Sequence, residues 1–80
     1  MKKTISIRFV NKFGTFYIQK RSLLGWKYIE FYQMIMEHKI YHYYYDTDKE
    51  NLLNRVVKEH YGIDRDCVII KEYPLIKYYN

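Results

Sequence analysis

Along the first third of the chain, apolar and polar positions alternate. Ile5, Ile7 and Phe9 alternate with Ser6, Arg8 and Val10, and a period of two predicts a half-buried strand. Asn11–Gly14 supplies turn residues, with Gly14 free to take a positive φ. Phe16, Ile18 and Lys20 then alternate with Tyr17, Gln19 and Arg21, so residues 1–21 read as a β-hairpin. Ser22–Gly25 forms the next turn, and Trp26–Phe31 a third strand. Between residues 30 and 39 the pattern loses its period. Glu30–Glu37 fits a short helix, a loop with apolar anchors or an extension of the strand, because Met34, Ile35 and Met36 match each of these. Ile40–Tyr45 reads as a fourth strand, with Tyr41, Tyr43 and Tyr45 on one face.

The period then changes to that of a helix. Thr47-Asp48-Lys49-Glu50 has the spacing of a capping box, in which Thr47 accepts from the Glu50 N–H and Glu50 reaches back to Thr47. Leu52, Leu53, Val56, Val57, His60 and Tyr61 form one stripe; Asn51, Asn54, Arg55, Lys58 and Glu59 form the other. Gly62 follows where helices end, so a helix is predicted over about 47–61. Asp64-Arg65-Asp66 is a polar connector, and Cys67–Tyr73 a nearly continuous apolar strand. Pro74 either ends its pairing or sits at a sheet edge, and Leu75–Tyr79 is expected to add a short tail strand. The elements predict an α+β fold in one domain spanning residues 1–80: a small, mostly antiparallel sheet of four to five strands with one helix packed on one face.

Size and composition narrow the functions available. Eighty residues bury only roughly 60–65% of the unfolded surface, leaving little room for both a core and a deep catalytic cleft. The chain has no alanine and eleven tyrosines, which favours strands and supplies rings with polar tips. Its richness in Ile, Lys, Tyr and Asn points to an AT-rich gene. The net charge of +5 is unevenly spread: residues 1–29 hold seven basic and no acidic residues, while residues 30–80 hold seven basic and nine acidic. Such asymmetry fits a polyanionic or acidic partner, or simply a solubilising face. Cys67 is the sole cysteine, which excludes an intramolecular disulfide scaffold. Lys2 and Lys3 resemble the start of a signal peptide, but Arg8 interrupts the apolar stretch, and no later run is long enough to span a bilayer. The expected site of action is the host cytoplasm or a virion, with no membrane partner.

Candidate chemistry is sparse. Ser6 and Ser22 lack the glycine pattern of a nucleophile elbow. Cys67, next to Val68, Ile69 and Ile70, is expected to be buried and inert. His38 and His42 would share a face and, with His60 or Cys67, make a metal site, yet no second close ligand pair exists. Asp46-Thr47-Asp48 lies at the expected helix cap and Asp64-Arg65-Asp66 in a turn, so both acidic triplets read as structural. No catalytic residue, cofactor or metal is assigned, and the chain is read as a non-enzyme.

Lys12-Phe13-Gly14-Thr15-Phe16-Tyr17-Ile18 is similar to strand motifs of RNA-recognition and cold-shock domains, in which sheet-face aromatics stack on bases. It departs from them in carrying Phe13 where glycine is expected, and it presents Tyr17 as its outward ring. More of the chain resembles small uncharacterised proteins of Bacteroidetes and their crAss-like phages. The residues that carry this are Asn11-Lys12-Phe13-Gly14, Tyr17-Ile18-Gln19-Lys20-Arg21, Leu24-Gly25-Trp26-Lys27, the Thr47-capped helix and Lys71-Glu72-Tyr73-Pro74. That resemblance implies a phage or mobile-element setting and carries no catalytic residues. The expected function is protein–protein binding by a small accessory protein, as a host-takeover or anti-defence inhibitor or a minor virion component. Its partner-binding candidates are Arg8, Tyr17, Arg21, Trp26, Lys27, Tyr43 and Tyr45. The alternative is nucleic-acid binding by the basic, aromatic N-terminal hairpin, with Arg8, Arg21, Lys27 and Tyr17 outermost. A homo-oligomer is compatible with either.

Overall fold

In the computed structural model, which describes residues 2–78, the alternating N-terminal segment forms β1 (Lys3–Lys12) and β2 (Thr15–Ser22). Their turn places Phe13 and Gly14 at positive φ, as a two-residue hairpin with right-handed twist requires. Asn11 Oδ1 closes the turn by accepting from the Gly14 N–H at 3.0 Å. β3 (Gly25–Tyr28) pairs antiparallel with β2, and β7 (Val68–Tyr78) lies parallel to the other edge of β1. The order is β3-β2-β1-β7, with a fifth, two-residue strand β6 (Tyr45–Asp46) also paired to β2. The α+β class holds, and among the described residues every pairing but one is antiparallel; the β1–β7 pair makes the main sheet mixed.

The third and fourth strands differ from expectation. The strand expected over Trp26–Phe31 breaks at Ile29, and that expected over Ile40–Tyr45 breaks at Tyr44. Both breaking residues are buried in the core. Ile29 donates its N–H to the Ile18 carbonyl at 3.0 Å and accepts from the Tyr44 N–H at 3.3 Å. Between them the chain leaves the main sheet as a separate antiparallel hairpin, β4 (Glu30–Ile35) and β5 (His38–Tyr43). The ambiguous segment is therefore a strand, turned at Met36 and Glu37, which both take positive φ.

The helix begins at Lys49, two residues into the expected range, and its cap is Asp48, not Thr47. Asp48 Oδ1 accepts from the N–H groups of Glu50 at 2.9 Å and Asn51 at 3.1 Å. Asp46 Oδ1 holds Asp48 in place by accepting from its N–H at 2.8 Å. The carboxylate adds charge at the positive helix end, which the Thr47 hydroxyl lacks. After α1 (Lys49–Arg55) the coil widens over Val56–His60, where the Tyr61 N–H reaches back five residues to the Val56 carbonyl. Leu52, Leu53, Val56 and Val57 pack on Ile5, Ile7, Phe9, Ile18 and Val68 to form the core on one face of the sheet.

The last strand brings one further correction and decides between the two positions expected for Pro74. Cys67 is exposed, because it closes a 3₁₀ turn over Arg65–Cys67, and the buried start of β7 is Val68. Pro74 does not end the pairing. It lies in an edge strand beside one extra residue, since Arg8 pairs with Tyr73 while Val10 pairs with Ile76; such a bulge accommodates the missing donor. The expected tail strand is the second half of β7, and its last residue, Tyr79, lies outside the described residues. Among the described residues no helix is long and apolar enough to cross a membrane.

Candidate functional site

The helix covers one face of the main sheet. The register of the strands places Ser6, Arg8, Val10 and Lys12 of β1 on the other, next to Tyr17, Gln19 and Arg21 of β2 and Trp26 and Tyr28 of β3. Tyr45 joins them by pairing with Tyr17, and Lys71, Tyr73 and Tyr78 by pairing with Ser6, Arg8 and Lys12. Tyr73 and Tyr78 are five apart and would point to opposite sides of a regular strand. The extra residue at the Pro74 bulge shifts the alternation by one, so both rings reach this face. None of these positions is acidic.

The side chains form a layer of rings and cations over Val10 and Gln19, which lie buried beneath it. At one end Trp26 packs edge-on to Tyr73 at 5.1 Å, with the Arg8 guanidinium 4.6 Å above Trp26 and that of Arg21 5.2 Å above Tyr73. Arg8 also donates to Gln19 Oε1 at 2.6 Å, and Arg21 to the Tyr73 hydroxyl at 2.8 Å. At the other end Tyr28 stacks on Tyr43 at 4.9 Å, Tyr17 touches both, and Tyr45 lies 6.0 Å from Tyr17. Lys12 sits over Tyr28 at 5.0 Å and near Tyr17 and Tyr78. Donation to the Tyr28 hydroxyl oxygen holds the Lys12 ammonium above its usual range, while donation from Lys71, and then from Arg21, holds the Tyr73 hydroxyl below its own.

Six of the seven residues singled out from the sequence thus meet on one face: Arg8, Tyr17, Arg21, Trp26, Tyr43 and Tyr45. Lys27 does not. It pairs with Lys20 on the helix side of β3 and lines a smaller hollow with His60. Lys12, Tyr28, Lys71 and Tyr73 were missed. Tyr28 follows Trp26 at strand spacing and was legible in that alternation; Tyr73 and Lys71 depend on the parallel β1–β7 pairing, which leaves no local signal.

A second surface is the β4–β5 hairpin. Seven large apolar side chains are exposed on it: Tyr32, Met34, Ile35, Met36, Ile40, Tyr41 and Tyr43. These are half of the fourteen such side chains exposed among the described residues. Where the hairpin meets the helix start, a cleft of about 540 Å³ is lined by Phe31, His42, Tyr45, Asp46, Thr47 and Arg55, among others. Its charges are internally matched, since Arg55 contacts Asp46, Glu59 and the Tyr45 carbonyl. His38 and His42 do share a strand face, as Ile35 and Phe31 are their partners, but His42 contacts Gln33 and His60 packs against Tyr44 and Tyr61. Among the described residues no three His, Cys, Asp or Glu side chains gather closely enough to hold a metal ion. The acidic triplets serve as helix cap and as 3₁₀ turn. Comparison with family models, curated proteins and solved structures found no match to the chain.

Proposed function

We propose that the chain is a non-enzymatic accessory protein that acts by binding another protein through the β4–β5 hairpin. The observation that carries this reading is the cluster of exposed Met34, Ile35, Met36 and Ile40 on a hairpin that belongs to no larger sheet. Two strands alone are marginal in water, and unpaired edges with apolar side chains on both faces favour addition of a further strand. The strained tip supports the same reading. Met36 and Glu37 occupy positive φ, where Asn-Gly would sit with less strain, and Met36 is 88% exposed. Adaptable methionines at an exposed tip suit an apolar partner surface. In the phage or mobile-element setting implied by the resemblance, such a protein serves as a host-takeover or anti-defence inhibitor or as a minor virion component.

The test is capture from host lysate with the native chain and with a Met34→Lys/Ile40→Lys variant, after nuclease treatment and at moderate salt. A defined protein retained by the native chain and lost by the variant, with the circular dichroism of the two unchanged, is the expected result. Equal capture by both chains, or loss on nuclease treatment, overturns it. A concentration-dependent dimer abolished by the same variant replaces the foreign partner with a second copy.

A further inference from the structure

We infer that the open face of the main sheet is a binding site for single-stranded nucleic acid, separate from the hairpin. The first ground is charge. Arg8, Lys12, Arg21 and Lys71 stand on a face with no acidic position, and none of the four pairs with a carboxylate among the described residues. The ion pairs there are Lys49 with Glu72 and Arg55 with Asp46 and Glu59, all off this face. The cations are instead held over rings. A guanidinium over an indole keeps its outward N–H groups free for a phosphate oxygen.

The second ground is shape. Rings and cations alternate across a broad sheet, and the aliphatic Val10 lies beneath them. Trp26, Tyr28 and Tyr73 are covered by cations, whereas Tyr45 and Tyr78 are exposed and offer rings to unpaired bases of any sequence, beside point charges for the backbone. The layer itself projects no helix or ribbon that would enter a duplex groove: the helix lies on the opposite face, and the β4–β5 ribbon, which leaves the sheet, exposes mainly apolar side chains. Arg8 and Lys12 mark two cation-and-ring clusters four residues apart on β1, roughly 13 Å at strand spacing, so the site takes a short run of nucleotides. An acidic protein segment would satisfy the cations but leave the rings unused.

The experiment is fluorescence anisotropy of the full chain with dT and rU dodecamers, a duplex of the same length and a polyglutamate control, at two salt concentrations. Four phosphates neutralised on a single strand give a slope of about −2.8 in log K against log salt, so doubling the salt weakens binding about sevenfold. Arg8→Gln/Arg21→Gln should lower that slope by about half, whereas Tyr45→Leu should weaken binding about tenfold with the slope intact. A Lys12→Gln/Lys71→Gln pair repeats the slope test on the other cations should the arginine pair fail to fold. Binding of duplex or polyglutamate as tight as that of single strands, or a slope untouched in a folded cation variant, overturns the proposal. Met34→Lys/Ile40→Lys should bind oligonucleotides no more weakly than the native chain, so loss of the hairpin function leaves this result standing.

Discussion

At the scale of single residues, the carboxylate of Asp48 and the imidazole of His60 carry separable consequences. Asp48 accepts two backbone N–H groups at the helix start, so Asp48→Ala should destabilise the fold by about 1 kcal/mol. Thr47→Ala should stay within about 0.5 kcal/mol, because Thr47 is exposed and makes no cap. Denaturant titration of the two variants checks the pair; equal losses would restore Thr47 as the cap. His60 sits at the helix end between Tyr44 and Tyr61. Although His60 is exposed overall, partial desolvation of its ring, with Lys20 adding to it, pushes its pKa below the usual histidine value. The folded state therefore binds this proton less readily than the unfolded chain. Stability rises with pH between the depressed folded value and about 6.5, and falls on acidification through that window. Melting at about pH 7.5 and about pH 5 should show His60→Gln losing less than the native chain. An identical drop in both would remove His60 from the acid sensitivity.

At the scale of elements, what was legible tracks how local the determinants are. The first hairpin and the apolar stripe Leu52, Leu53, Val56 and Val57 came straight from periodicity, since each is set by residues within one turn or one strand. The β4–β5 hairpin was not legible, for a physical reason. Its turn residues, Met36 and Glu37, are poor formers of the left-handed geometry they adopt, so the marker of a turn is missing where the chain reverses. The break at Ile29 was hidden because a buried residue that switches sheets looks the same in sequence as one that continues a strand. The strain makes a prediction. Replacing Met36-Glu37 with Asn-Gly should stabilise the protein by about 1 kcal/mol or more, as two unfavourable φ values are relieved. The melting temperature should rise by several degrees in a chain of this length, while capture of the protein partner weakens. No rise would mean that the hairpin opens independently of the core.

At the scale of the whole molecule, the fold sorts the chain's asymmetric charge and its surplus of rings onto different surfaces. The basic first 29 residues become the centre and one edge of the main sheet. Alternation then sends their apolar half to the core and their aromatic and cationic half to the open face. Four of the seven site candidates, Arg8, Tyr17, Arg21 and Trp26, were legible in that alternation; Tyr43 and Tyr45 reach the same face from β5 and β6, and Tyr73 and Lys71 entered only through a parallel pairing between strands more than fifty residues apart. The hairpin is attached through Ile29 and Tyr44, and among the described residues its strands pair only with each other, so it should behave as a removable module. Tyr32 and Tyr41 are cross-strand partners, and replacing residues 33–40 with Asn-Gly between them keeps the register while deleting Met34, Ile35, Met36 and Ile40. Phe31 and Tyr43, which pack on Tyr44 and Tyr28, remain. This shortened chain should fold, with slow amide exchange retained in β1 and β2, where the core is anchored. Its binding of single-stranded oligonucleotides should match that of the native chain, and its capture of the protein partner should vanish. If shortening also collapsed protection in β1 and β2, the hairpin would be part of the folding core, and the division into two binding surfaces would fall.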